Sequence, residues 1–146
     1  MTQEDKKLLL KDLCAMLPYY PKCEMIDELR VVNSEKDSSY ISTLFPKHIE
    51  LFSYHNNFTI KPYLRSMSSM TDEEKEEMHN LLSPDGTAIY GYDGISMPMN
   101  HYGEFVSYEF MNNIIHYLLK NHFDFMGLIP KGLAIEVTEE NNPYKE

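Results

Sequence analysis

The 146-residue chain lacks tryptophan, has only two cysteines, and contains no apolar run of membrane-spanning length. Its first residues carry acids before bases and only a three-leucine run, so we expect neither a signal peptide nor a membrane anchor. Cys14 and Cys23 form no CxxC pair, and we expect both to be reduced, buried thiols, Cys14 on a helix and Cys23 on a strand. These features predict a cytoplasmic protein that does not act at a membrane.

Clusters of basic residues are also missing. The chain has 13 Lys and Arg against 23 Asp and Glu, a net charge of −10, and two segments, Asp72–Glu77 and Glu136–Glu146, supply −4 and −3 of that charge. Binding to a phosphate backbone needs clustered Lys and Arg, so we expect no nucleic-acid partner. Two short acidic clusters do not reproduce the phosphate-like spacing that a mimic of duplex DNA would need.

No motif for catalysis or metal binding occurs. The sequence has no GxSxG or SxxK nucleophile motif, no HxH or HExxH pair, and no glycine-rich loop followed by Lys-Ser or Lys-Thr. Asp85-Gly86 and Asp93-Gly94 lack the alternating oxygen ligands of a calcium loop and are typical of turns. We therefore predict no catalytic residue, no metal and no cofactor.

The front half of the chain is patterned for one helix followed by strands. Thr2 is placed to cap the first helix with Asp5 at its third position, and Pro18 ends that helix. From Lys22 to Ile60 the apolar residues alternate, which predicts four or five short strands, among them Leu29–Val32, Tyr40–Phe45 and a segment with Ile49 and Leu51. We expect the last of them to finish near Ile60 or Lys61, because Pro62 has no amide hydrogen.

The back half is patterned for helices. Thr71 and Glu74 form a predicted capping box at the start of a surface helix, and a core helix is predicted from Ser107 to Asn121. Between them, Asp93-Gly94 predicts a two-residue hairpin within Thr87–Met99, and Leu133–Val137 is a predicted last strand. The fold class is α+β: a small curled antiparallel sheet, barrel-like or a meander, with an N-terminal helix and C-terminal helices. We predict a single domain over 1–138 and a frayed acidic tail over 139–146.

Tyrosine is the one residue type whose abundance favours recognition. Eleven tyrosines occur, and their rings bury area at a small entropy cost while keeping a polar tip. One interpretation is a binding site in which rings stack on a ligand and arginine meets a phosphate. The alternative is that Tyr63 and Leu64 lock the strand-to-helix junction while Arg65 pairs with a nearby acid. The candidate binding residues are Tyr63, Arg65, Tyr90, Tyr92, His101 and Tyr102.

Four blocks of sequence carry a resemblance. The runs KPYLRSMSSMTDEEKEE, SPDGT and HFDFMGLIPKGLAIEV, with the opening LLLKDLCAMLPY, are similar to a family of short, functionally uncharacterised proteins encoded by gut Bacteroidales and their phages and prophages. The chain departs from that pattern at Ser66, where proline is expected, and at Pro130, where an acid is expected. Residues from Lys22 to Ile60 match no block. The resemblance implies a mobile-element origin and no particular activity.

The function that follows is binding. We expect a non-enzymatic, cytoplasmic accessory protein that binds a host or phage protein, with a homo-oligomer as one form of such binding. The alternative is an anti-defence protein that sequesters a small nucleotide messenger in a pocket lined by Tyr63, Arg65 and the loop from Tyr90 to Tyr102. A small hydrolase or transferase using His101 with Asp85 or Asp93 is the least favoured class.

Overall fold

A computed structural model describes residues 1–28, 39–82 and 108–145. Its helices and strands follow one another as α1 (Gln3–Met16), β1 (Lys22–Asp27), β2 (Ser39–Thr43), α2 (Pro46–Tyr54), β3 (Phe58–Leu64), α3 (Asp72–Leu82), α4 (Tyr108–Lys120) and β4 (Ile135–Glu136). The α+β class is confirmed. The chain divides into two compact units, one formed by Met1–Leu64 with Met126–Glu146 and the other by Arg65–Phe125.

The first unit is built on a four-stranded sheet in the order β2-β1-β3-β4. The first three strands are antiparallel, as the sequence predicts, whereas β4 joins β3 in parallel, so the sheet is mixed, and it does not close into a barrel. Met25 is directly opposed to Ile60 and Cys23 to Pro62 on one face, and all four are fully buried. That face forms the core of the unit, since side chains of alternate residues point to opposite faces.

Helix α1 begins at the predicted capping box. The amide of Asp5 donates to the Thr2 hydroxyl across 3.0 Å, and the Asp5 carboxylate accepts from the Thr2 amide across 3.2 Å. Leu9, Leu13 and Met16 are buried, which places them on one stripe of the helix at three- and four-residue spacing. The helix therefore packs through one apolar stripe.

The segment from His48 to Leu51, which the sequence predicts as a strand, is part of helix α2. Pro46 stands at the first helical turn, where its missing amide hydrogen costs nothing, and His48 Nδ1 accepts a hydrogen bond of 3.0 Å from the Phe45 amide. His48 and Phe52 are buried four residues apart. The prediction of a strand is wrong because the alternation at Ile49 and Leu51 also fits a short stretch of helix, and the helix start at Pro46 was the stronger signal.

Strand β3 continues through Pro62 to Leu64, beyond the end that the sequence predicts at Ile60 or Lys61. The Glu28 amide donates to Asn57 O across 2.9 Å, so these two residues form a hydrogen-bonded pair of the antiparallel ladder. Such pairs alternate along the strands, so the backbone groups of Lys61 and Tyr63 also face β1. The Pro62 nitrogen, which carries no hydrogen, therefore faces away from β1. On that side β3 pairs with β4, and this pairing begins only at Tyr63. The prediction is wrong because proline interrupts a strand only where its amide is needed.

The acidic tail, predicted to fray, carries a half-buried anchor, Tyr144. The Tyr144 hydroxyl accepts from the Lys22 amide across 3.0 Å and donates to Tyr63 O across 2.9 Å. Lys22 and Tyr63 are the next pair after Cys23 and Pro62 in the register of β1 and β3, so this hydroxyl stands where a direct ladder bond would be. Burial raises the pKa of Tyr144, which keeps the bridging hydroxyl protonated.

The second unit joins α3 and α4 through an apolar cluster. Thr71 and Glu74 form the predicted capping box at the start of α3, with the Glu74 amide donating to Thr71 Oγ1 across 3.2 Å and Glu74 Oε2 accepting from the Thr71 amide across 2.9 Å. Helix α4 spans 13 residues and ends one residue before the predicted Asn121. The buried members of the cluster are Met70, Met78, Ile114, Leu118 and Phe123.

The end of α4 is closed by a Schellman motif. His122 adopts a left-handed conformation with φ 59°, and its amide donates to Leu119 O across 3.1 Å. The Phe123 amide donates to Leu118 O across 2.9 Å, and the two side chains share the apolar cluster. These are the two hydrogen bonds and the apolar contact that define the motif.

No helix among the described residues is long and apolar enough to cross a membrane. The predicted strand segment Leu29–Val32 and the predicted hairpin within Thr87–Met99 lie outside the described residues.

Candidate interaction surface

Strand β2 lies at one edge of the sheet. It pairs with β1 on one side, and no described residue pairs with it on the other. The exposed side chains along it include Tyr40 and Ile41, and the strand reads SYIST, with neither charge nor proline. Edge strands usually carry a lysine, a proline or a bulge that prevents pairing with another chain. Strand β2 carries none of these devices.

The hydrogen bonds of β1 show which backbone groups of β2 face outward. Leu44 donates its amide to Pro21 O across 2.9 Å, which makes Pro21 and Leu44 a hydrogen-bonded pair of the antiparallel ladder. Such pairs alternate along the strands, so Ser42 and Tyr40 direct their amide and carbonyl groups toward β1. Ile41 directs its own amide and carbonyl away from the sheet, as do the residues two positions before and after it. Ile41 is therefore the centre of the open edge.

The side chains of β2 frame this edge with apolar surface. Tyr40 is opposite Met25 and Ile41 is opposite Glu24, so the two side chains lie on opposite faces of the sheet. Ile41 is 56% exposed and Tyr40 is exposed as well. A segment that paired with β2 would gain backbone hydrogen bonds and apolar contacts on both faces.

Two further aromatic residues flank the end of β2. Tyr20 precedes Pro21 and Phe45 follows Leu44, so both adjoin the hydrogen bond that ends the ladder, and both are exposed. Tyr20 is 64% exposed, and its backbone is in a left-handed conformation with φ 51°, which few residues other than glycine adopt readily. Strain of this kind is a reason to look for a function at that residue.

The position of Phe45 is fixed by His48. The Phe45 amide donates to His48 Nδ1, and the two rings lie with their centroids 5.8 Å apart. Burial lowers the pKa of His48, with the neighbouring Lys47 adding to the effect, which keeps Nδ1 unprotonated and able to accept. The neutral imidazole thus fixes Phe45, the N-cap residue that precedes α2. We name Tyr20, Tyr40, Ile41 and Phe45 the edge surface.

Tyr63 and Arg65, the two predicted binding residues within the described part of the chain, are both engaged by protein groups. Tyr63 is buried in β3, and burial followed by the charge of Glu24 raises its pKa. Arg65 donates to both carboxylate oxygens of Glu74, at 2.6 and 2.9 Å, and its guanidinium lies 4.3 Å from the centroid of the Phe123 ring. This arrangement matches the alternative in which Arg65 pairs with a nearby acid. The other predicted binding residues, Tyr90, Tyr92, His101 and Tyr102, lie outside the described residues.

Among the described residues, the buried cysteine is not an activated nucleophile. Cys23 is buried, and desolvation raises its pKa to about 12, so its thiol stays protonated and inert. Cys14 is exposed rather than buried as the sequence predicts, because its position on α1 falls outside the stripe of Leu9, Leu13 and Met16. No three metal-ligating side chains converge in residues 1–28, 39–82 and 108–145.

Sequence reasoning missed the edge surface. It identified Tyr40 to Phe45 as strand but gave no reason to place that strand at an edge, because strand order depends on long-range pairing. The usable signal was the absence of charge and proline from SYIST, in a chain that is 25% charged. Exposed Tyr20 carried no signal, since its left-handed conformation follows from the turn after Pro18.

Comparison with known proteins finds no match: no protein family, no curated protein and no solved structure matches this chain. The geometry of the chain's own residues therefore carries the functional conclusion.

Proposed function

We propose that this chain is a non-enzymatic, cytoplasmic accessory protein of phage or mobile-element origin that binds a host or phage protein by strand addition to β2. The resemblance of its sequence blocks supports the origin, and the open edge at Ile41 supports the mode of binding. In strand addition, main-chain hydrogen bonds supply affinity and alternate side chains supply specificity.

The observation that carries the proposal is an exposed edge strand, β2, that carries no charge and no proline. Such an edge is an aggregation hazard that proteins otherwise block. A partner that covers β2 would account for this unblocked edge and for the exposed Tyr20 and Phe45 beside it. An exposed apolar patch with polar surroundings is typical of a protein-binding site.

The partner segment has a stated chemistry. It is extended, it offers amide and carbonyl groups to Ile41, and it carries apolar side chains that contact Tyr40 on one face and Ile41 on the other. Because the chain has a net charge of −10, basic residues flanking that segment accelerate association at low salt.

Site-specific photo-crosslinking tests the proposal. A benzophenone side chain replaces Tyr40 in one protein and Glu73, which is exposed on α3, in a matched control. We expect position 40 to crosslink to one extended segment of a single protein in the native host, and position 73 to give no such product. Crosslinking of the same partner from position 73 and not from position 40 would contradict strand addition. A second copy of the chain as the crosslinked segment would make the complex a homo-oligomer joined through β2.

Proline at Ile41 provides a sharper variant. The Ile41 amide makes no ladder bond to β1, so Ile41→Pro preserves the sheet while it removes the outward donor. Ser42→Pro is the matched comparison, because the Ser42 amide faces β1 and its loss destabilises the sheet. If Ile41→Pro unfolds the protein, Ile41→Lys places an edge-blocking charge on an exposed side chain instead. Unchanged binding of the crosslinked partner to a folded Ile41 variant would contradict the proposal.

A further inference from the structure

Lys22 of β1 reaches across the sheet to the edge strand β2. It is opposite Thr43 in the register of the two strands, and its Nζ donates to Thr43 Oγ1 across 2.9 Å. Because the preceding pair, Pro21 and Leu44, is hydrogen-bonded, this next pair is of the kind whose side chains lie closer together. The ammonium group of a β1 residue therefore lies at the outermost strand of the sheet.

The backbone of Lys22 is fixed as well. Its amide faces away from β2 and donates to the Tyr144 hydroxyl across 3.0 Å. Lys22 and Thr43 are both half-buried. A lysine that is tethered at its amide and at its ammonium group loses less conformational freedom on binding than a free surface lysine does.

The charges around Lys22 leave its ammonium group without a carboxylate. Glu24 lies two residues along β1 on the same face, but it is directly opposite Lys61 of β3. Lys22 makes no ion pair with Glu24 or with any other residue of 1–28, 39–82 and 108–145. Since β2 itself is uncharged, Lys22 supplies a positive charge at the Thr43 end of the open edge.

We propose that Lys22 selects partner segments that carry an acidic residue opposite Thr43 and an apolar residue two positions further along, opposite Ile41. This inference rests on the proposed strand addition and names the side chain that the edge recognises. Thr43, like Ile41, directs its amide and carbonyl groups outward, so a partner strand antiparallel to β2 has a residue directly opposite each. Cβ atoms of such pairs lie about 5 Å apart, which brings a glutamate within reach of the Lys22 ammonium group.

Two disulfide-closed β-hairpin peptides test the selection. Their outer strands read ETVVT and KTVVT, and in antiparallel pairing the first residue is opposite Thr43 and the third is opposite Ile41. A compensating charge in each turn gives both hairpins the same net charge, so the net charge of the chain, −10, favours neither. The closed hairpins are ordered before they bind, which reduces the entropy that is lost.

Each hairpin is titrated into the ¹⁵N-labelled full-length protein at about 0.15 M salt, where the Debye length is about 8 Å. We expect both to shift the amide resonances of Ile41 and Thr43. The ETVVT hairpin should bind about tenfold more tightly, because it gains an opposite-charge pair with Lys22 where the KTVVT hairpin meets a like charge.

Substitutions at Lys22 test whether its charge causes the preference. Lys22→Gln keeps a donor for Thr43 Oγ1 and removes the charge, so the two hairpins should bind this variant with equal affinity. Lys22→Arg keeps the charge and should keep the preference. Lys61→Gln is the matched control, since Lys61 lies on the same face but one strand further from the edge, and it should leave the preference unchanged.

The outcomes separate this inference from strand addition. Equal affinity of the two hairpins for the native protein, tighter binding of KTVVT, or an unchanged preference in Lys22→Gln would overturn the role of Lys22 and leave strand addition standing. No saturable shift at Ile41 from either hairpin, up to ~1 mM, would overturn both. The comparison on the native protein needs no substitution, so the test holds even if a change at Lys22 unfolds the chain.

Discussion

Arg65 donates hydrogen bonds to both carboxylate oxygens of Glu74, with N–O distances of 2.6 and 2.9 Å. The pair is partly buried, and the guanidinium also lies over the Phe123 ring, so one side chain contacts both the start of α3 and the turn after α4. A planar donor fork fits a carboxylate in a way that an ammonium cannot. This hydrogen bond is also the main cause of the lowered pKa of Glu74.

We expect Arg65→Lys to lower the free energy of unfolding by about 1–2 kcal/mol, because it loses the second hydrogen bond and the contact with the ring. The exposed pair Lys75–Asp72, at 3.1 Å, is the matched control, and Lys75→Ala should cost less than about 0.5 kcal/mol. Urea denaturation of both variants measures the difference. Equal effects of the two substitutions would mean that the Arg65 pair is no stronger than a surface ion pair.

Tyr144→Phe tests the hydroxyl that bridges β1 and β3. The substitution leaves the Lys22 amide and the Tyr63 carbonyl without their hydrogen-bond partner, which should cost about 1–3 kcal/mol. Tyr54→Phe is the control, since Tyr54 is 80% exposed and should be neutral. Thermal unfolding followed by circular dichroism compares the two. A Tyr144→Phe protein as stable as the native chain would show that the tail is not an anchor.

The two capping boxes and the class of the fold could be predicted from sequence because they depend on residues three positions apart and on local periodicity. The Thr2 and Thr71 caps lie where their patterns place them. Helix α2 could have been found from Pro46, a helix-start signal that the alternation of Ile49 and Leu51 obscured. Strand β3 continues past Pro62 because the Pro62 backbone faces away from β1, and the direction it faces depends on how the strands pair in the sheet.

The candidate site was less accessible to sequence reasoning. The abundance of tyrosine suggested a binding site at Tyr63 with the neighbouring Arg65. Tyr63 is buried, and Arg65 is hydrogen-bonded to Glu74. The open edge at Ile41 depends on β1 lying between β2 and β3, and no local pattern records that order. Recognition residues can be guessed from composition, but their exposure cannot.

Protonation of His122 should destabilise the protein in mild acid. Burial, with Arg65 adding to it, lowers the pKa of His122 from its ordinary 6.5 to about 4. Between those values the unfolded chain binds a proton that the folded chain does not, so stability is complete above pH 6.5 and falls as the pH drops toward 4. His48, whose pKa is also lowered, acts in the same direction.

His122→Asn isolates this contribution, because asparagine accepts the left-handed conformation and does not titrate. We expect urea unfolding between pH 6.5 and 5 to show a shallower loss of stability in His122→Asn than in the native protein. Identical pH profiles would contradict the role assigned to the buried imidazole.

Tyr20→Gly should separate binding from folding. Glycine relieves the left-handed strain at φ 51° but raises the conformational entropy of the unfolded chain. The two effects oppose each other, so the free energy of unfolding should stay within about 1 kcal/mol of the native value. The variant loses one ring of the edge surface, and its affinity for the crosslinked partner should fall several-fold. Calorimetry of both proteins with that partner measures the change, and full affinity would remove Tyr20 from the binding surface.

The most direct test of strand addition is hydrogen exchange at the Ile41 amide, free and in complex with the crosslinked partner. That amide faces outward from the sheet, whereas the Ser42 amide already faces β1. We expect exchange at Ile41 to be fast in the free protein and to slow at least tenfold in the complex, with a smaller change at Ser42. Unaltered exchange at Ile41 in a saturated complex would contradict strand addition.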